Sequence, residues 1–267
     1  MKKIIILSTL ALTVIFAFKY KDSATEILPN NIVVNGKLFT SIFQQQAAEY
    51  KALCIQSYNL ARLQLDQELK KTTIRPRAII TDIDETILDN SSFAIHEALL
   101  GKTYSPDAWH EWTNRSECDT LSGSVSFLKY ASAKGIVVYY ISNRDDQERA
   151  GTLANLKKFD FPYSDDAHLL LKETGSSKES RRQKVAAKYD IVVLLGDNLA
   201  DFCADFDKKS TTERLEATLK LSKEFGKKFI VLPNANYGDW ESALFKYDYK
   251  LSSAQKDSVI KGALKHY

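Results

Sequence analysis

The chain has 267 residues, 44% apolar and 27% charged, enough to bury the core of one large or two small domains and too apolar for a disordered chain. Its 37 Lys and Arg nearly balance 34 Asp and Glu, and a net charge of +3 lacks the basic excess of a nucleic-acid binder, so no nucleic-acid polymer is expected as a partner. Cys54, Cys118 and Cys203 are odd in number and have no metal-ligand spacing, which argues against a complete disulfide framework or a zinc site and leaves small buried hydrophobes.

Lys2 and Lys3 precede a mostly apolar run from Ile4 to Phe18, and Lys19 follows it. This pattern predicts a signal peptide or short membrane anchor over residues 1–21, with membrane attachment through residues 4–18 if it is retained. Ile15-Phe16-Ala17 and Asp22-Ser23-Ala24 are both poor cleavage sites, so export is expected and removal of the segment stays open. The destination is then the periplasm, or a membrane with the chain facing the periplasm.

Residues 22–75 read as an N-terminal helical segment. From Ser41 to about Lys71, Phe43, Ala47, Tyr50, Cys54, Tyr58, Ala61 and Leu65 recur at steps of three and four, with no Gly or Pro between them. A turn then leads into a domain over 76–267. Its short apolar runs, Arg77–Thr81, Gly135–Ile141, Ile191–Leu195 and Phe229–Leu232, predict buried strands. Helical stretches alternate with them at Ser122–Lys134, Gln147–Lys158, Lys178–Tyr189 and Thr211–Phe225. Such alternation predicts an α/β fold with a parallel sheet and helices on both faces. The stretch near 93–121, rich in Trp, His and charge, breaks the pattern and reads as a small cap inserted over the sheet.

Ligands bind such sheets beyond the carboxyl ends of the strands. The first strand ends in Asp82-Ile83-Asp84-Glu85-Thr86, where a spacing of two points both aspartates the same way in extended chain. Asp205-Phe206-Asp207 has the same spacing but no strand before it, and reads as solvated surface. Thr86 reads as a local cap or a site residue. The second strand ends in Ser142-Asn143-Arg144, whose hydroxyl and amide suit phosphate oxygens or an ordinary turn. The third ends in Gly196-Asp197-Asn198-Leu199-Ala200-Asp201, bringing two more acids. Clustered carboxylates call for a hard cation, and magnesium is the natural choice. Lys178, at a helix start, could aim its charge at a bound phosphate.

In this order the pieces resemble the phosphatases of the haloacid dehalogenase superfamily. Asp82-Ile83-Asp84-Glu85-Thr86-Ile87-Leu88-Asp89-Asn90 and Gly196-Asp197-Asn198-Leu199-Ala200-Asp201-Phe202 look like the two acidic motifs of the class C acid phosphatases, a group that includes outer-membrane lipoprotein nucleotidases. Trp109-His110-Glu111-Trp112 and Tyr237-Gly238-Asp239-Trp240-Glu241 add to the likeness, which runs from about Phe43 to Glu241. The resemblance implies a HAD-like fold and a magnesium-dependent phosphomonoesterase acting on nucleoside monophosphates or other small phosphate esters. It implies Asp82 as nucleophile and Asp84 as acid and base. Asp82, Asp197 and the backbone carbonyl of Asp84 would hold Mg2+, Ser142, Asn143 and Lys178 the phosphoryl group. Asp201 would orient Lys178, and Trp109 and Tyr237 would line the substrate pocket. Lipoprotein relatives need a cysteine at the end of the signal segment; the first here is Cys54, so no lipid anchor is expected. Phosphate transfer to alcohols and non-catalytic ligand binding in the envelope remain as alternatives.

Overall fold

Residues 31–267 are described in the computed structural model of the protein; the expected leader over 1–21 lies outside them. Asn31 caps the first helix by accepting the Val33 and Val34 amides at 2.9 and 3.3 Å, which starts α1 (Ile32–Gln46). A single extended residue, Ala47, separates it from α2 (Ala48–Leu69). The expected continuous helix from Ser41 is therefore two helices. The reason lies in what each buries: α1 packs Val33, Val34, Ser41 and Gln44 toward the cap, whereas α2 turns Tyr50, Cys54, Tyr58, Ala61 and Leu65 onto the sheet. Phe43, which continues the α2 stripe in sequence, is 43% exposed.

In chain order there follow β1 (Arg77–Thr81), β2 (Leu88–Asp89), α3 (Ser91–Leu99), α4 (Pro106–Asn114), β3 (Asp119–Thr120), α5 (Ser124–Ala133) and β4 (Val137–Ile141). The second half adds α6 (Arg149–Lys158), β5 (Leu169–Leu170), α7 (Glu179–Ala186), β6 (Asp190–Gly196), α8 (Thr211–Lys220), β7 (Phe229–Val231), α9 (Asp239–Leu244) and α10 (Ser253–Ala263). Strands β5-β4-β1-β6-β7 form one sheet, every pair parallel. The four sequence-predicted strands are all in it. The fifth, β5, is two residues long and too short to show a period.

Side-chain alternation along β1 divides the core. Ile79 joins Val138 and Val193 against Tyr58 and Leu65 of α2 and Phe127 and Leu128 of α5. Ala78 and Ile80 face the other way, onto Val185 of α7 and the stacked rings of Phe202 and Phe229. Covering both faces of a central parallel strand leaves its carboxyl end as the open edge, and the ends of β4 and β6 lie beside it.

The cap leaves the sheet through an antiparallel clasp, Leu88 against Thr120 and Asp89 against Asp119, which closes around α3 and α4. Ser105 caps α4, and Pro106 occupies its first turn. The far end of α4 rests directly on α6: a Cβ on Gly151 would stand 2.5 Å from the Thr113 carbonyl oxygen. Among the described residues no helix is long and apolar enough to cross a membrane.

Candidate active site

The Asp82 amide donates to the Leu195 carbonyl at 2.9 Å, so the first acid of β1 is pinned beside the end of β6. The chain then turns sharply through Glu85, whose φ of 55° is unusual for a residue with a side chain. Asp82 is buried and in contact with the ammonium of Lys178, which also stands 2.7 Å from Asp201. Asp197, at the end of β6, accepts from Thr86 Oγ1 at 3.2 Å and from Asn234 Nδ2 at 2.8 Å, while Thr86 Oγ1 lies 3.4 Å from Asp82. Thr86 thus bridges the two acidic motifs. Gly196 is needed for space: a Cβ there would sit 2.5 Å from Asp201 Cβ and Oδ2.

Asp84 has a different setting. Its carboxylate receives Arg144 Nη2 at 2.7 Å and Nε at 3.1 and 3.2 Å, and Asn90 Nδ2 at 2.9 Å, with Ser142 Oγ at 3.5 Å. The Arg144 side chain is fully buried and also donates to Thr152 Oγ1 at 3.0 Å. Helix α7 braces both loops from behind. Arg181 donates to the Ser142 carbonyl, and Arg182 reaches the carbonyls of Ala200 and Asp201 at 2.8 and 2.9 Å.

These groups open into a cavity of about 620 Å³ lined by Asp82, Asp84, Asn143, Lys178, Asp197 and Asp201, with Trp109 and Tyr237 on its walls. Trp109 packs edge-on against Phe93 with ring centroids 5.0 Å apart. Tyr237 is tied by its hydroxyl to the buried carboxylate of Glu85 and has Lys37 Nζ 6.0 Å from its ring centre. Of the sequence-predicted site residues, Ser142 and Thr86 do not line the cavity: both are buried, and Ser142 Oγ accepts the Arg144 amide at 3.1 Å. Asn143 is at the rim, but its side chain is engaged at both ends, by Arg181 Nη2 at 2.7 Å and the Ser176 carbonyl at 2.9 Å.

Among the described residues, the four carboxylates Asp82, Asp84, Asp197 and Asp201 have Lys178 and Arg144 as their cations in direct side-chain contact. Glu85 is pushed well up by burial and by the neighbouring acids, toward its neutral form. With all four aspartates ionised, their charge exceeds that of Lys178 and Arg144 by two, the charge of one divalent cation. Burial, then repulsion from Asp201 and Asp84, also raises Asp82 against the pull of Lys178, and Asp197 rises through burial and repulsion from Asp201 and Asp82 against Asn234 and Lys178. Lys178 moves the other way: burial opposes its charge, but Asp201 and Asp82 outweigh burial and hold it protonated. Carboxylate oxygens of Asp82, Asp197 and Asp201 lie within 4.8 Å of one another, an all-oxygen donor set suited to a hard divalent metal.

Arg144, Glu85 and Asn90 had no role in the sequence reading, although each lies within a quoted motif; Asn234, two residues past the last predicted strand, was not singled out either. The model of HAD superfamily subfamily IIIB acid phosphatases matches residues 11–240. The chain belongs to this family of phosphomonoesterases. Among solved structures, the class C acid phosphatase from Bacillus anthracis, determined both with tungstate bound and as a separate structure, is 42% identical with a TM-score of 0.85. The match covers 88% of this chain and 98–99% of that one, so the acid phosphatase carries the HAD-like fold of its relative. Two curated relatives are from Glycine max: a stem 31 kDa glycoprotein, 26% identical over 142 residues, and a stem 28 kDa glycoprotein, 25% identical over 181. These matches cover 51% and 64% of this chain, and 56% and 68% of the relatives.

Proposed function

We propose that this acid phosphatase is exported and hydrolyses phosphate monoesters, nucleoside monophosphates foremost, with Mg2+ and through a phosphoaspartate at Asp82. The observation that carries the reading is the buried Asp82 carboxylate at the floor of the cavity, gripped by Lys178 and flanked by Asp197. Asp82 attacks phosphorus while Lys178 balances charge on the phosphoryl oxygens, and Asp201 keeps its ammonium in place. Asp84, held by Arg144 and Asn90, gives a proton to the leaving oxygen and then takes one from water to release phosphate. Asp82, Asp197 and the Asp84 carbonyl would hold Mg2+, which supplies charge neutralisation at the phosphoryl group. Ser142, behind the cavity, would support the phosphoryl subsite through Asp84 and the Arg144 amide.

Trp109 and Tyr237 offer flat faces for a base or an aryl group, and the cavity exceeds what phosphate alone requires. The Bacillus anthracis relative binds tungstate, an oxyanion of phosphate's shape, which supports an oxyanion subsite here. The test uses p-nitrophenyl phosphate and nucleoside monophosphates, with Mg2+ or excess chelator, beside Asp82→Asn. Metal-dependent phosphate release that Asp82→Asn abolishes is expected. Equal turnover by the variant refutes the phosphoaspartate, and an unchanged rate in chelator refutes the metal.

A further inference from the structure

A second set of ligating side chains lies at the seam between cap and core. His110 of α4 places Nε2 2.8 Å from Asp145 Oδ2 and 3.9 Å from Glu148 Oε2. Asp145 and Glu148 stand on the turn that follows Arg144 and leads into α6. Each uses one oxygen to build that turn: Asp145 Oδ1 accepts the Gln147 amide at 3.0 Å, and Glu148 Oε2 accepts the Asp145 amide at 2.7 Å. The other oxygen of Glu148, Oε1, is buried without a hydrogen-bond partner, on a side chain only 2% exposed. An unpartnered buried oxygen of this kind costs about 1–3 kcal/mol. Arg144 lends its charge to Glu148 but gives this oxygen no hydrogen bond, because its guanidinium donates to Asp84 and Thr152.

Each of the three residues offers one ligand atom within 4.8 Å of the others, and Glu148 Oε2 stands 3.9 Å from His110 Nε2. Metal bonds of about 2.0–2.2 Å put neighbouring donors roughly 3 Å apart, close to the His110–Asp145 separation, so closure asks mainly for an inward shift of Glu148. His110 and Asp145 are partly open to solvent, which lets water complete the shell. One imidazole with two carboxylates favours a borderline ion such as Zn2+ or Co2+ over Mg2+. None of the three lines the catalytic cavity.

We propose that His110, Asp145 and Glu148 form a second divalent-cation site, separate from the aspartate cluster, which fastens cap helix α4 to the turn after β4. Its neighbours give it a purpose. Trp109, on the cavity wall, precedes His110, and Arg144, which grips Asp84, precedes Asp145, so an ion at the seam holds the two in register.

The test is calorimetric titration of the whole protein with Zn2+ in a large excess of Mg2+, which competes for the aspartate cluster, beside Asp82→Asn, which weakens that cluster. Wild type and Asp82→Asn are each expected to bind one equivalent at the seam. His110→Gln and Glu148→Gln, checked for folding by near-UV circular dichroism, are expected to bind it at least roughly tenfold more weakly. In Asp82→Asn, Zn2+ should raise the melting temperature, and adding His110→Gln should remove that rise. Undiminished Zn2+ binding in His110→Gln overturns the proposal, as does absence of Zn2+ binding to Asp82→Asn in Mg2+. Because Asp82→Asn is used to isolate this site, the result does not depend on the phosphoaspartate reading.

Discussion

Replacing Arg144 by methionine would remove, among the described residues, the side-chain cation in contact with Asp84 and keep most of the aliphatic volume. The pair has three short N···O contacts, the arginine side chain is fully buried, and the Asp84 side chain is 15% exposed. Removing one partner of a buried pair costs about 3–5 kcal/mol, and the slight opening at Asp84 places Arg144→Met near the lower end, about 3 kcal/mol. Asp84→Asn leaves an amide oxygen that can still accept one guanidinium bond, so about 2 kcal/mol is expected. Each single variant already removes the charge–charge contact, so the double variant should be less destabilised than the sum by about 2 kcal/mol. Urea unfolding of all four proteins measures this coupling, provided the slopes agree. Additivity within about 0.5 kcal/mol would refute the ion pair as an energetic unit. Kinetics test the chemistry separately. If Asp84 protonates the leaving oxygen, a nucleoside monophosphate, with its poor alkoxide leaving group, should lose about a hundredfold more rate in Asp84→Asn than p-nitrophenyl phosphate does. Arg144→Met should show the same skew more weakly. Equal losses on both substrates would remove Asp84 from proton transfer.

The raised Asp82 and Asp197 make the metal-free fold bind more protons than the unfolded chain above the ordinary carboxylate range, so its stability falls as pH rises through their raised values. A divalent ion must displace those protons; the Mg2+-induced rise in melting temperature of stripped protein should therefore grow from about pH 5 to about pH 7, and a pH-independent rise would contradict it. Gly196→Ala drives a methyl group into Asp201 and should cost about 2–3 kcal/mol in denaturant melts while lowering kcat through Lys178; a neutral outcome would mean that this loop yields freely. Glu85→Leu removes the acceptor of the Tyr237 hydroxyl and should raise KM for nucleoside monophosphates several-fold while changing KM for p-nitrophenyl phosphate less. Equal shifts for both substrates would place Glu85 outside the pocket's recognition of the base.

What was legible in the chain was the sheet and its acids, because both are written locally. Ala78-Ile79-Ile80 is apolar over one short run, and Asp82 follows within two residues, so strand and site appear together. Asp190–Gly196 leading to Asp197 repeats the form. The partners of those acids were not legible. Arg144 lies 60 positions from Asp84, and Tyr237 lies 152 from Glu85. An arginine buried to hold a carboxylate has the same local sequence signature as one on a solvated turn; Arg181 and Arg182, in the helical stretch that starts at Lys178, are both buried. The break at Ala47 was hidden for a related reason, since no breaking residue marks it and only the two separate surfaces covered by α1 and α2 require it. Negative charge at the strand ends thus carried its own signal, but its neutralisation is divided among distant elements: Lys178 before α7, Arg144 after β4, and the room left for a cation. A site built this way is complete only when the cap, the sheet and α7 are all in place, which couples correct folding of the domain to assembly of the phosphate-handling groups.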